Sequence, residues 1–187
     1  MRWDVRAFEL FAPLYDRLMP ATDETALRKG FAVAERDVER IVEVGDGSGR
    51  VARTLGATVL DPAEGMLRRA RAKGLETVRA SATDLPHPDG SIDGVVVVDA
   101  FHHFPDPERC LEEMARVLAP GGVLVIKEFD RSARRGRLLA IAETLFGFDS
   151  TFYTAEELEG MIDRAGLEVR PIEYGFEMTL SGVATGA

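Results

Sequence analysis

The residues with the clearest chemical potential are Glu43-Val-Gly45-Asp-Gly47-Ser-Gly49-Arg50. Glycines at alternating positions allow positive φ and let a ligand approach the main chain closely. Where such a loop opens a helix, its N–H groups point at that ligand. Asp61 follows the next short apolar stretch, placed to accept hydrogen bonds from both hydroxyls of a ribose. It has a competing local use, because Asp61, Pro62 and Glu64 also spell a helix start with a reciprocal cap. One cap bond leaves carboxylate lone pairs for a ligand, so the two uses are compatible. Asp84 can accept from an exocyclic amine, with the N–H of Leu85 offered to a ring nitrogen; its alternative is a turn carboxylate bonded to its own backbone. Arg50 stands where a dinucleotide fingerprint needs a glycine for helix–strand packing, which sets an NAD-dependent oxidoreductase behind other readings.

These residues need a scaffold, and the apolar pattern supplies one. Ile41 to Gly45 predicts a strand, Val51 to Leu55 the helix after the loop, and Val59-Leu60 a strand stub. A helix is expected over Pro62–Lys73 with Met66, Leu67 and Ala70 on one face, and a short strand begins at Val78. Ile92 to Val98, rich in valine, reads as a central parallel strand covered on both faces. Asp106-Pro107 starts a helix, after which Pro120-Gly121-Gly122 turns the chain into a strand over Val123–Lys127. Thr154 and Glu157 form a capping box, and Gly166 ends the helix they start. Leu167–Glu173 and Gly175–Ala184 read as strands too closely joined for a crossover helix, so they pair antiparallel. Strands and helices in alternation mean βαβ units and a mostly parallel sheet between helical layers.

The 187 residues fit a single domain, 1–187, with residues 1–36 expected to form an N-terminal helical cap region. A net charge of -9 opposes a polyanionic partner such as nucleic acid, despite the local arginines at 131, 134, 135 and 137. No apolar run is long enough to span a membrane, and the charged N-terminus does not read as a secretory signal, so the expected location is the cytoplasm. The single cysteine, Cys110, excludes an intramolecular disulfide or a thiolate metal cluster. His87, His102 and His103 lack helical or strand spacing as a set, and no metal site is expected from them.

Taken in order, VEVGDGSGR, VLDPAEGMLRRAR and SATDLPHPDGSIDGVVVVDAFHHFPDPERCLEEMARVLAPGGVLVIKEF resemble the class I S-adenosylmethionine-dependent methyltransferases, in the style of the ubiquinone and menaquinone biosynthesis branch. The resemblance is strong over residues 38–130 and weaker at Phe11-Ala-Pro-Leu-Tyr15-Asp16. It implies a three-layer Rossmann-like fold with a seven-stranded sheet whose last strand is antiparallel. It implies that Gly45, Gly47 and Gly49 line the methionine part of S-adenosyl-L-methionine and that Glu43 supports its ammonium. It places Asp61, with Pro62 beside it, at the ribose, Met66 against an adenine face, Asp84 and Leu85 at the adenine edge, and Asp99 and Ala100 beside the methionyl group, with Tyr15 covering the cofactor. Asp46 departs from the small residue or cysteine common there.

A sulfonium donor needs alignment and exclusion of water more than acid–base chemistry. His102 and His103 are expected near the reactive end, either as one base toward an oxygen or carbon acid or as pocket walls, with neighbouring rings pointing apart. Phe129, Phe146, Phe148, Phe152 and Tyr153 offer an apolar wall for a small acceptor methylated at oxygen, carbon or nitrogen. A regulatory module that binds the cofactor without turnover is the remaining alternative.

Overall fold

The computed structural model describes residues 24–45, 47, 49–145 and 150–186. Seven strands form one sheet: β1 (Ile41–Val44), β2 (Thr58–Asp61), β3 (Thr77–Arg79), β4 (Ile92–Val98), β5 (Leu118–Phe129), β6 (Leu167–Glu173) and β7 (Glu177–Ala184). Their order across the sheet is β3-β2-β1-β4-β5-β7-β6. The first five pair in parallel, and β7 inserts antiparallel between β5 and β6. This is the expected three-layer architecture, including the antiparallel closing pair.

Helices α1 (Glu24–Phe31), α2 (Ala52–Leu55), α3 (Glu64–Ala72), α4 (Pro107–Val117), α5 (Arg134–Leu145) and α6 (Ala155–Arg164) flank the sheet. β4 is buried along its whole length, as its valines require. On one face Leu111, Met114, Leu158 and Ile162 pack with Val95, Val97, Leu124 and Ile126. On the other, Leu27 of α1 packs with Val96, Val98, Val123 and Val125. Gly30 of α1 lies so close to the sheet that a Cβ there would stand 2.7 Å from Val125. Of the cap region expected over 1–36, residues 24–36 form α1 and a tail running to the start of β5, where the N–H of Glu35 donates to the carbonyl of Gly121. The rest of that region, with Phe11, Tyr15 and Asp16, lies outside the described residues, as do Asp46, Phe146 and Phe148.

Several boundaries differ from the sequence pattern by a few residues, β7 for instance starting at Glu177 rather than Gly175, and two of them have a structural reason. β5 begins at Leu118, because Pro120-Gly121-Gly122 forms an irregularity inside the strand: its register against β4 jumps from Ile92–Leu118 to Gly94–Val123. α3 starts at Glu64 rather than Pro62. Asp61 accepts from the N–H of Ala63 at 2.6 Å, ahead of the helix, and Glu64 pairs with Arg71 at 2.6 Å instead of closing a reciprocal cap. The capping box of α6 is complete at Thr154 and Glu157.

Candidate cofactor and acceptor site

The strand order reverses at β1, which has β2 on one side and β4 on the other, and ligands of open α/β sheets bind beyond the strand ends at such a point. The glycine loop occupies that position. Gly45, Gly47 and Gly49 have φ of 93°, 50° and 69°, so each uses the conformational freedom of glycine. Glu43, fully buried, reaches across the loop and accepts from the N–H of Ala52 at 3.0 Å, which fixes the loop exit to β1.

The loop touches residues from both neighbouring strands. A Cβ on Gly47 would stand 2.7 Å from Oδ2 of Asp61 and 2.5 Å from Cβ of Met66, so the main chain passes directly against both. A Cβ on Gly45 would stand 2.8 Å from the ring of Phe104 and 3.1 Å from Ala100. Pro62 is exposed at the same edge. Asp84 is exposed in a turn after β3, its N–H donating to the carbonyl of Ser81. The N–H of Leu85 corrects an expectation: it donates to Glu113 Oε2 at 3.0 Å and so is already used within the protein. Arg116 and Arg109 bind the same carboxylate and, with Arg116 first, hold Glu113 down to about 2.

Asp99, the first residue after β4, has φ of 49°. A non-glycine residue in this region is uncommon, although aspartate tolerates it better than most. Its Oδ1 is buried without a hydrogen bond among the described residues, and its Oδ2 faces Arg50 at 3.8 Å. Burial, and then the charge of Glu128, push its carboxyl up to about 6.

Beside Asp99 a single 3₁₀ turn, Phe101–His103, carries both histidines. The tight turn brings the two rings to a centroid separation of 4.0 Å, so they do not point apart as an extended chain would have made them. His102 is buried, stacks on Phe152 at 4.4 Å, and places Nδ1 2.8 Å from Oε2 of Glu128. Its Nε2 lies 3.7 Å from Glu143 of α5. Burial opposes a charge on His102, but Glu128 and Glu143 outweigh it and raise the imidazole to about 10. Burial lowers His103 to about 3, helped by the charge of His102, and its Nδ1 lies 3.1 Å from the hydroxyl of Ser150. The expectation of a base near its ordinary pKa is therefore corrected. Both move away from the ordinary imidazole value, His102 upward and His103 downward.

Residues 42–126 match the family model of a methyltransferase domain. The chain is 33% identical over 159 residues to a phosphatidylethanolamine N-methyltransferase of Cereibacter sphaeroides, covering 78% of this chain and 77% of that one. The chain belongs to the S-adenosylmethionine-dependent methyltransferases. It is also 40% identical over 140 residues to a demethylmenaquinone methyltransferase of Thermus thermophilus, covering 65% of this chain, and it spans 64% of that relative's length. A solved structure from Thermotoga maritima, described as an S-adenosylmethionine-dependent methyltransferase and possible histamine N-methyltransferase, superposes with a TM-score of 0.80 at 26% identity, covering 98% of this chain and 99% of that one. Methyltransferases of this kind use S-adenosyl-L-methionine.

Within this methyltransferase fold the structure gathers Gly45, Gly47, Asp61, Met66 and Ala100 around one loop. It adds contacts that the sequence did not show. Arg50 links the loop to Asp99, Phe104 covers Gly45, and Glu128 and Glu143 close on the histidines. Of the expected aromatic wall, Phe152 and Tyr153 pack beside the histidine turn, and Phe129 lies between His102 and Phe176, with ring centroids 6.5 and 5.2 Å away. Arg131 is engaged with Glu157 at 2.7 Å.

Proposed function

We propose that the chain transfers the methyl group of S-adenosylmethionine to a small, partly apolar acceptor. Gly45, Gly47 and Gly49 line the methionyl part, supported by Glu43. Asp61 beside Pro62 takes the ribose hydroxyls, Met66 packs on adenine, Asp84 accepts from the adenine amine, and Asp99 borders the amino-acid end. The observation that carries this reading is the contact of one positive-φ loop with Asp61 and Met66 on one side and Phe104 and Ala100 on the other. Any side chain in the loop would fill the space against which these groups are set.

The cofactor brings an activated methyl group, so the protein's work is placement and exclusion of water. Phe104 and Phe152 supply apolar surface beside the loop and the histidine turn. His102, held by Glu128 at Nδ1 and stacked on Phe152, acts as a fixed element of the wall. An amine, an enolate or a phenolate, each already nucleophilic, suits a site whose work is placement.

Calorimetry with S-adenosylhomocysteine tests the cofactor half. Asp61→Ala removes charge-assisted hydrogen bonds worth about 1.5–3 kcal/mol each, so affinity falls at least about tenfold. Loss of the bond to Ala63 costs about 1 kcal/mol of stability. A variant that melts early but binds normally when folded shows Asp61 to be only a cap. Wild-type protein that binds the ligand yet consumes no methyl donor across amine, phenol and enolisable acceptors supports the regulatory alternative.

A further inference from the structure

We propose that His102, His103 and Glu143 form a binding site for one divalent first-row transition ion, of the zinc class. Each of the three offers one ligand atom, and these atoms all lie within 4.8 Å of one another. Two imidazoles and one carboxylate are a donor set that zinc and its neighbours favour over magnesium or calcium, which prefer all-oxygen ligands.

The spacing fits ligation better than direct pairing. Nε2 of the buried His102 and the nearer oxygen of the partly buried Glu143 are 3.7 Å apart, beyond an ordinary hydrogen bond. Two donors each about 2.1 Å from one ion at a tetrahedral angle stand roughly 3.4 Å apart. The second oxygen of Glu143, Oε2, is buried with no hydrogen bond among the described residues. A carboxylate oxygen in that condition lacks the compensation that burial demands.

A supporting shell is also present. Metal-bound histidine usually donates its other N–H to a carboxylate, which fixes the tautomer and turns the remaining lone pair toward the ion. Glu128 does this for His102: it is fully buried, lies 2.8 Å from Nδ1, and its Oε2 also accepts from the His102 backbone N–H at 3.3 Å. Phe152 stacks on the same ring and restrains its rotation. Glu128 and Glu143 bring two carboxylates onto the imidazole pair, a charge that a divalent ion balances. Local spacing does not signal this site, because the third ligand comes from α5, beyond β5, far along the chain from the histidine turn.

Three protein ligands leave coordination positions for water or for an acceptor oxygen or nitrogen; the acceptor part of this statement rests on the methyl-transfer reading. The ion itself is tested without cofactor, so its failure leaves the S-adenosylhomocysteine titration untouched. Metal-free protein is titrated with Zn2+ by calorimetry and with Co2+ by visible absorption. One ion per chain is expected, with cobalt bands of nitrogen and oxygen ligation and none from thiolate, because Cys110 is buried apart from the cluster in α4.

Glu128→Gln should weaken binding about 10–100-fold, and Glu143→Gln and His103→Asn at least as much. His87→Gln, at the opposite edge of the sheet beside Arg40 and Ile41, should leave it unchanged. Far-UV circular dichroism confirms that each variant is folded, and Glu143→Gln decides the case should a histidine variant fail to fold. Absence of stoichiometric Zn2+ and Co2+ binding by folded protein overturns the proposal. Binding that survives Glu143→Gln, or that falls with His87→Gln, also overturns it.

Discussion

An aspartate stands at each end of β4, Asp93 buried and Asp99 partly so, and the two are built in opposite ways. Asp93, at the start of the strand, receives the backbone N–H and guanidinium of Arg40 and the guanidinium of Arg36, all at 2.9–3.1 Å. These bonds, Arg40 first, hold its carboxyl down to about 2. Asp99, at the other end, keeps one oxygen without a hydrogen bond, has strained backbone, and titrates near 6. The same residue type on one strand thus serves cohesion at one edge and is held under-satisfied at the edge where the glycine loop lies. Saturated charge marks the structural end of the sheet, and unsatisfied charge marks the candidate site.

The largest expected break in this contrast is Asp93→Ala. It removes several charge-assisted bonds whose arginines are partly solvated, and should cost about 3 kcal/mol in urea unfolding. S-adenosylhomocysteine affinity of the folded variant should not change. The next test uses pH. Asp93, with a depressed native pKa, contributes stability above its ordinary 3.8 that is lost as pH falls toward about 2. Asp99, with a raised one, contributes stability fully present below 3.8 that is lost as pH rises through about 6. Asp99→Asn should remove that second decline. At pH 7 the variant should be more stable than wild type by about 2 kcal/mol and bind S-adenosylhomocysteine more weakly. Equal urea midpoints for the two proteins at pH 7 would remove the contrast.

The smallest effect sharpens the comparison. Arg50 lowers the Asp99 pKa, so Arg50→Gln should move the Asp99 decline to higher pH. Its stability cost should stay near 1 kcal/mol, as for a single weak ion pair. NMR titration of the Asp99 side chain would show the displacement directly.

Much of this arrangement was legible in the residues. The valines of β4, the capping box at Thr154 and Glu157, and the short link between β6 and β7 are local signals, and each element formed as read. Gly45, Gly47, Asp61 and Met66 were legible as a set because the βαβ pattern returns each strand end to the same edge. What escaped depends on long-range contacts. The N–H of Leu85 is taken by Glu113 on α4, and the imidazole of His102 is raised by Glu128 and Glu143, from β5 and α5. The histidine rings adjoin because three residues fold into a 3₁₀ turn, which their identity alone does not announce.

The insertion of β7 between β5 and β6 has a consequence for how the molecule is assembled. Its hydroxyl at Ser181 donates to the carbonyl of Gly30 in α1, so the last strand also secures the first described helix. Until residues 177–184 emerge from the ribosome, β5 must wait with an unpaired edge, and such edges invite pairing with other chains. The sheet therefore closes through contacts of the greatest sequence separation, which slows folding and prolongs exposure of the valine-rich centre. A nascent chain stalled just short of this segment would be the form of the protein most dependent on a chaperone.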